Sequence, residues 1–215
     1  DTGHCFAGCP VLVNDKLVAV LRQDSPDVDL YSRRGQEVQL CARLQPLCDG
    51  RAGLDRTALD IKANAPDAVS LEAGFRSPSG ESRRITYELT AGAPFIKTTV
   101  SDDVGRLRVQ APCRFAVLPD FFADDILLDA ATFQVPQAEV PSENFLLHML
   151  PGGEAILMTV SESRDNDIEI GLSDTTPRQI VRSDVAYGNK PHVWIGILAG
   201  QGIWHQQAVT LEDAG

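Results

Sequence analysis

Apolar and polar positions alternate with a period of two along most of the chain. Val18, Val20 and Arg22 alternate with Ala19 and Leu21, and Val38, Leu40 and Ala42 with Gln39 and Cys41. Leu59, Ile61 and Ala63 alternate with Asp60, Lys62 and Asn64, and Val69, Leu71 and Ala73 with Ser70 and Glu72. Ile85, Tyr87 and Leu89 alternate with Arg84, Thr86, Glu88 and Thr90. Successive side chains of a strand point to opposite faces, so each segment predicts a strand with one buried and one wet face. Further strands are predicted at Phe95–Val100, Arg106–Gln110, Arg114–Leu118, Phe145–Leu150 and Ala155–Val160. The same reading gives Asp167–Leu172, Gln179–Val185, His192–Leu198 and Ile203–Val209.

Turn chemistry punctuates these runs at Ser77-Pro78-Ser79-Gly80, Ala91-Gly92-Ala93-Pro94, Pro151-Gly152-Gly153 and Tyr187-Gly188-Asn189. Glycine supplies positive φ and proline presets it, so the chain can reverse there. Strands recur about every 8–12 residues, the rhythm of antiparallel meanders in a sandwich or barrel. Short helices are expected only at Pro119–Asp125 and near Arg51–Thr57. The predicted fold is all-β, an antiparallel β-sandwich with very little helix. Gln134–Ser142, with Pro136 and Pro141, reads as a loop or linker. It is too short to separate independent domains, so residues 1–215 are expected to form a single one.

The 215 residues suffice for a buried core. Thirty acidic against nineteen basic residues leave a net charge of -11. A field of that sign repels phosphate backbones and anionic lipid, which argues against nucleic-acid and membrane partners. It also favours a neutral glycan over an anionic one. No apolar run approaches the roughly 20 residues of a membrane-spanning helix. The chain opens on Asp1, so it is expected to be processed or excised from a larger secreted protein, with any targeting segment removed.

Among the five cysteines, Cys5 and Cys9 bracket a short loop, and Cys41 and Cys48 flank a proline-containing stretch that reads as a turn. Local disulfides and plain thiols both fit. A zinc site built on His4, Cys5 and Cys9 lacks the paired knuckle spacing. Cys113, within a predicted strand region, reads as a small buried hydrophobe.

The segment from Pro119 to Asp129 sets Phe121 and Phe122 among Asp120, Asp124, Asp125 and Asp129. These carboxylates are candidate ligands for a structural Ca²⁺, which takes hard oxygen donors, although no D-x-D-x-D-G spacing is present. They also fit a catalytic carboxylate pair, with His148 as helper, or a plain acidic loop pinned by its two phenylalanines. Asp102-Asp103 and Asp165-Asn166-Asp167 read as acidic turns. His192 and His205 are expected on neighbouring strands around Trp194 and Trp204, with Leu198–Gly202 as the turn. An indole offers an apolar platform to a pyranose face and an imidazole hydrogen-bonds its hydroxyls, so this cluster, with Tyr187, is a candidate carbohydrate-binding surface. The alternative is a core tryptophan under a polar edge. No G-x-S-x-G, H-E-x-x-H or Walker-type loop is present. Arg33-Arg34 and Arg83-Arg84 are basic pairs able to grip a carboxylate or sulfate on a sugar, or to stand as ordinary exposed strand residues.

The hairpin from Ile85 to Ile96, Ile-Thr-Tyr-Glu-Leu-Thr-Ala-Gly-Ala-Pro-Phe-Ile, resembles those of the galactose-mutarotase-like β-supersandwich domains of carbohydrate-active enzymes. More broadly it is similar to the β-sandwich accessory modules beside glycoside hydrolases and polysaccharide lyases. That resemblance implies carbohydrate binding, a structural Ca²⁺ and secretion or periplasmic export; it carries no catalytic residue across. Three readings follow. The first is a non-catalytic carbohydrate-binding module contacting a polysaccharide or oligosaccharide through Trp194, Trp204, His192, His205 and Tyr187. The second is a polysaccharide lyase or glycoside hydrolase using carboxylates of the 120–129 loop. The third is a structural domain packing on another domain of its parent protein.

Overall fold

Alternation decides which side chains face inward, and pairing then decides how the strands assemble. A computed structural model describes residues 6–48, 52–101, 104–118, 125–141, 144–163 and 167–206. The described strands form two antiparallel sheets, of eight and nine strands. The eight-stranded sheet begins with β1 (Val11–Val13), β2 (Leu17–Leu21), β3 (Val28–Arg34) and β4 (Glu37–Leu47). It continues through β9 (Arg106–Gln110), β16 (Ile180–Ala186), β15 (Ile168–Leu172) and β12 (Gln137–Val140). The nine-stranded sheet begins with β11 (Ile126–Asp129), β10 (Phe115–Leu118), β13 (Phe145–Met149) and β14 (Ala155–Ser161). It then runs through β17 (His192–Ala199), β8 (Phe95–Val100), β7 (Ser82–Thr90), β6 (Ala68–Arg76) and β5 (Asp55–Asn64).

The inner faces close on one another as a single apolar cluster. Leu30, Leu44, Val109 and Ile170 from the first sheet meet Phe75, Tyr87, Leu157 and Ile195 from the second. Each such side chain contributes about 1.5–3 kcal/mol when removed from water. Two fully buried side-chain links cross between the layers. The His148 ring lies 2.8 Å from the Ser183 hydroxyl through its Nε2 atom, both residues being fully buried. The Tyr187 hydroxyl donates to Thr98 Oγ1 at 2.9 Å, and Thr98 donates in turn to the Val193 carbonyl.

The all-β sandwich expected from periodicity is the observed architecture, with one short 3-10 turn, at Ala130–Thr132, among the described residues; of the helix expected at Pro119–Asp125, residues 119–124 lie outside them. Four assignments differ. Asp55, Arg56 and Thr57 open strand β5 rather than a helix. The stretch read as a linker contains β12, which pairs with β15 in register from Gln137–Gly171 to Val140–Ile168. Cys41 and Cys48 do not flank a turn. Cys41 sits within β4 and Cys48 just past its end, seven extended positions or about 23 Å apart, so no disulfide joins them. Ile203–Gln206 follows the last strand without forming another; residues 207–209 lie outside the described residues. Cys9 is an exposed free thiol, and Cys113 is buried as expected, its pKa pushed up to about 12 by desolvation.

At both outer edges pairing stops in short or irregular strands. β1 has three residues, and β12 and β11 have four each. β5 is long, but its register against β6 slips between Arg56 and Ala58 and again between Ile61 and Ala63. Thr57 and Lys62 are the extra residues.

Candidate functional site

Residues two apart on a strand share a face, and β17 uses this to bring His192 and Trp194 together on the outside of the nine-stranded sheet. Their rings lie 5.7 Å apart between centroids, tilted by 55°. Cross-strand register supplies the surroundings: Thr99 stands opposite His192, Lys97 opposite Trp194, and Glu88 opposite Lys97. The Thr99 hydroxyl lies 3.1 Å from His192 Nδ1. All five side chains are half-buried, so an aromatic ledge sits beside an imidazole, a hydroxyl, an ammonium and a carboxylate. That set can lay an apolar ring face on indole and hydrogen-bond the rim of the same ligand.

The remaining aromatic and histidine candidates are elsewhere. Trp204 belongs to the chain after β17, which folds back on the turn between β13 and β14. Its Nε1 donates to the Leu150 and Ala155 carbonyls at 3.0 and 3.2 Å, and its ring meets Phe115 edge-on with centroids 6.5 Å apart. Gly153, at φ +72°, makes this approach possible: a Cβ there would stand 2.6 Å from the Trp204 carbonyl oxygen. Ala155 pairs with Ala199 while Val160 pairs with Trp194, so the two tryptophans mark positions five residues, or about 17 Å, apart along β14. They form no common platform. His205 is exposed beyond Trp204 and does not face His192. Tyr187 is 1% exposed and its hydroxyl is engaged by Thr98, so it is a core residue and not a ligand contact.

Of the four carboxylates expected to bind metal, Asp120 and Asp124 lie outside the described residues. Asp125 is exposed beside β11. Asp129 accepts two hydrogen bonds from Arg114, from Nε at 2.9 Å and Nη2 at 2.8 Å, and a third from the Ala131 N–H. Those bonds, the Arg114 pairing foremost, hold its carboxyl below the usual range. Asp129 is thus a structural cap. Calcium takes six to eight oxygen ligands, and among the described residues no group of acidic, histidine or cysteine side chains is gathered to hold a metal ion. His148 is also removed from any reaction at that loop, since it points into the core. Its Nδ1 makes no hydrogen bond of good geometry, and burial lowers its pKa to about 4.

Two further surfaces were not singled out by sequence reading. The outer face of the eight-stranded sheet carries networks of ion pairs. Asp29 is paired with Arg22 and Arg43, each at 2.8 Å, while Asp184 takes Arg108 at 2.7 Å and also Arg182, which reaches Glu169 as well. The outer face of β10, β13 and β14 is instead apolar. Phe115, Val117, Leu147, Met149, Ile156 and Met158 are half-buried there, with Leu127 of β11 62% exposed alongside. Their inward neighbours Ala116, Leu146 and Leu157 are apolar too, so these strands are hydrophobic on both faces. The signal was present in β13 and β14, whose apolar runs are interrupted only by His148 and by Thr159 and the closing Ser161, close to the pattern of a strand covered on both sides.

No family model matches the chain, and no curated protein matches it in sequence. Solved structures do match in shape. An α-mannosidase from Enterococcus faecalis V583 superposes with a TM-score of 0.57 at 9% identity, over 88% of this chain and 29% of its own. The α-N-acetylgalactosaminidase NagBb from Bifidobacterium bifidum, in complex with GalNAc, gives 0.55 at 11% identity, over 88% of this chain and 36% of its own. The GH36 α-galactosidase AgaA from Geobacillus stearothermophilus, in complex with stachyose, gives 0.50 at 11%, over 89% and 41%. The likeness is one of fold. This chain spans less than half the length of each of these glycosidases, and its two-sheet sandwich recurs within them.

Proposed function

We propose that this chain is a non-catalytic β-sandwich domain of a carbohydrate-active protein that contacts a glycan through the outer face of β17. The observation that supports this reading is the Trp194–His192 pair, centroids 5.7 Å apart on a solvent-facing ledge rimmed by Lys97, Thr99 and Glu88. The occurrence of the same fold within glycosidases supports carbohydrate as the ligand class. Titration with neutral soluble oligosaccharides, followed by tryptophan fluorescence, is expected to give a saturable change that Trp194→Ala abolishes and Trp204→Ala preserves. Unchanged affinity in a folded Trp194→Ala protein refutes the site.

A second reading, compatible with the first, is favoured by the apolar outer face of β10, β13 and β14. Soluble monomers rarely leave a contiguous apolar patch of several hundred square ångströms uncovered. That face fits packing against another domain, in keeping with the larger size of the structurally similar glycosidases.

A further inference from the structure

The Arg33-Arg34 pair ends β3 just before a two-residue turn, Gly35-Gln36, that opens on Gly35 at φ +61°. The pair stands at the end of the sandwich where β17 also terminates. A hollow of about 420 Å³ lies between them, lined on one side by Lys16, Arg33 and Arg34 and on the other by Pro94, Leu198 and Ile203. Its size falls within the range of small-molecule sites.

Two properties mark this pair: like Arg56 and Arg178 it binds main-chain carbonyls and not a carboxylate, and unlike them it lines a hollow. Arg22, Arg43, Arg108, Arg114 and Arg182 are each ion-paired with a carboxylate, Asp29 and Asp184 serving two arginines apiece. Arg33 and Arg34 form no ion pair with a described carboxylate; main-chain carbonyls hold them instead. Arg33 donates from Nε to Gly35 O at 3.2 Å and from Nη1 to Asn14 O at 3.1 Å, while Arg34 Nη2 donates to Glu154 O at 3.1 Å. Carbonyls orient the guanidinium planes without cancelling their charge, and each guanidinium has five N–H donors, so several remain for a ligand. The acid at the rim is Asp15, bound to the Gly92 N–H and 3.4 Å from Lys16. Glu37 and Glu154 line the neighbouring hollow on the far side of Arg34. Three cations thus face one carboxylate inside a chain whose net charge is -11.

The opposite wall is apolar and open, with Leu198 40% and Ile203 37% exposed. Cations that accept an anion in bidentate fashion, facing an apolar shelf, match a ligand with a carboxylate at one edge and a hydrophobic ring face. We propose that this hollow binds a carboxylated pyranose, a uronic acid, with its carboxylate between Arg33 and Arg34 and its ring against Leu198 and Ile203. The choice of a sugar as the carrier of the carboxylate rests on the carbohydrate reading above. The overall negative charge opposes anionic glycans only at long range, because salt screens exposed charges beyond about 8–10 Å.

The test is calorimetric or NMR titration with galacturonate, digalacturonate and glucuronate, beside their neutral methyl esters and cyclohexanecarboxylate. At least one uronate is expected to bind, and its ester about tenfold or more weakly, since a charge-assisted contact is lost. Arg33→Gln and Arg34→Gln are each expected to weaken the acid by a similar factor and to leave the ester unaffected, while Trp194→Ala leaves the acid-to-ester ratio unchanged. Equal affinity for acid and ester, wild-type affinity in both arginine variants, or no binding by any uronate overturns the proposal. Binding of cyclohexanecarboxylate with the same arginine dependence, but of no uronate, would refute the sugar while keeping the anion pocket. Absence of any neutral-glycan response in the wild-type protein, or its persistence in Trp194→Ala, with the uronate response intact would refute only the β17 ledge.

Discussion

Acidification should weaken this sandwich through His148. The ring lies between the two sheets, wholly removed from solvent, with Nε2 at the Ser183 hydroxyl and Nδ1 unsatisfied. Burial disfavours the imidazolium and sets the folded pKa at about 4, against about 6.5 in an unfolded chain. The unfolded state therefore binds the extra proton first. Stability is intact above pH 6.5, declines as pH falls below it, and stops declining on this account once pH passes below 4. At about 1.36 kcal/mol per pH unit, the loss between pH 7.5 and pH 4 is about 3 kcal/mol, a large share of the 5–15 kcal/mol typical of a domain. Carboxylates such as Asp129 titrate lower, their stabilisation being lost only as pH falls below 3.8, so a variant is needed to isolate the histidine. Urea unfolding across this range should show wild type losing about 3 kcal/mol more than His148→Gln, which keeps a polar side chain but cannot be protonated. Parallel stability curves for the two proteins, or a His148 NMR titration midpoint near 6.5, would refute the reasoning.

Removing the Asp184 carboxylate leaves Arg108 and Arg182 facing each other across β9 and β16; Asp184→Ala should cost about 2–3 kcal/mol in urea unfolding, while Glu81→Ala, an exposed partner of Arg83, should cost less than about 1. If the apolar outer face is a docking surface, the isolated chain should self-associate or bind a hydrophobic dye, and Leu127→Lys combined with Met149→Lys should suppress both in sedimentation and fluorescence measurements. A monomer with no dye binding before the substitutions would count against that surface.

Strands with one fully inward apolar row were legible in the sequence. Phe95–Val100 and Arg106–Gln110 are observed with the bounds that alternation assigns, because Ile96, Leu107 and Val109 are buried while their neighbours are not. Strand β5 was misread at its start because it is an edge strand with almost no buried position, so nothing in its pattern distinguishes a strand from a helix turn. Strand β12 escaped because its flanking prolines signal a loop, yet proline is tolerated where an edge strand has no outer neighbour to bond. Strand β3 was missed because Asp29 is a buried carboxylate, made tolerable by two arginines from other strands that no local pattern reveals. The functional candidates divide the same way. His192 and Trp194 were legible as a pair because spacing on one strand fixes their common face. Trp204 and Tyr187 were not, since their environment depends on where the chain turns after β17 and β16.

The irregular edges bear on how copies of this protein meet. Among the described strands the two sheets end in four edge rows of amide and carbonyl groups, of which three are only three or four residues long while the fourth, β5, carries two bulges at Thr57 and Lys62. Deleting both Thr57 and Lys62 would turn the ten residues of β5 into an unbulged template of about eight, long enough for a second chain to add a strand and a third to add another. Growth of that kind proceeds through the backbone and is indifferent to side-chain recognition. The two bulges thus act as chain terminators, keeping a nine-stranded sheet from becoming the first layer of a fibre.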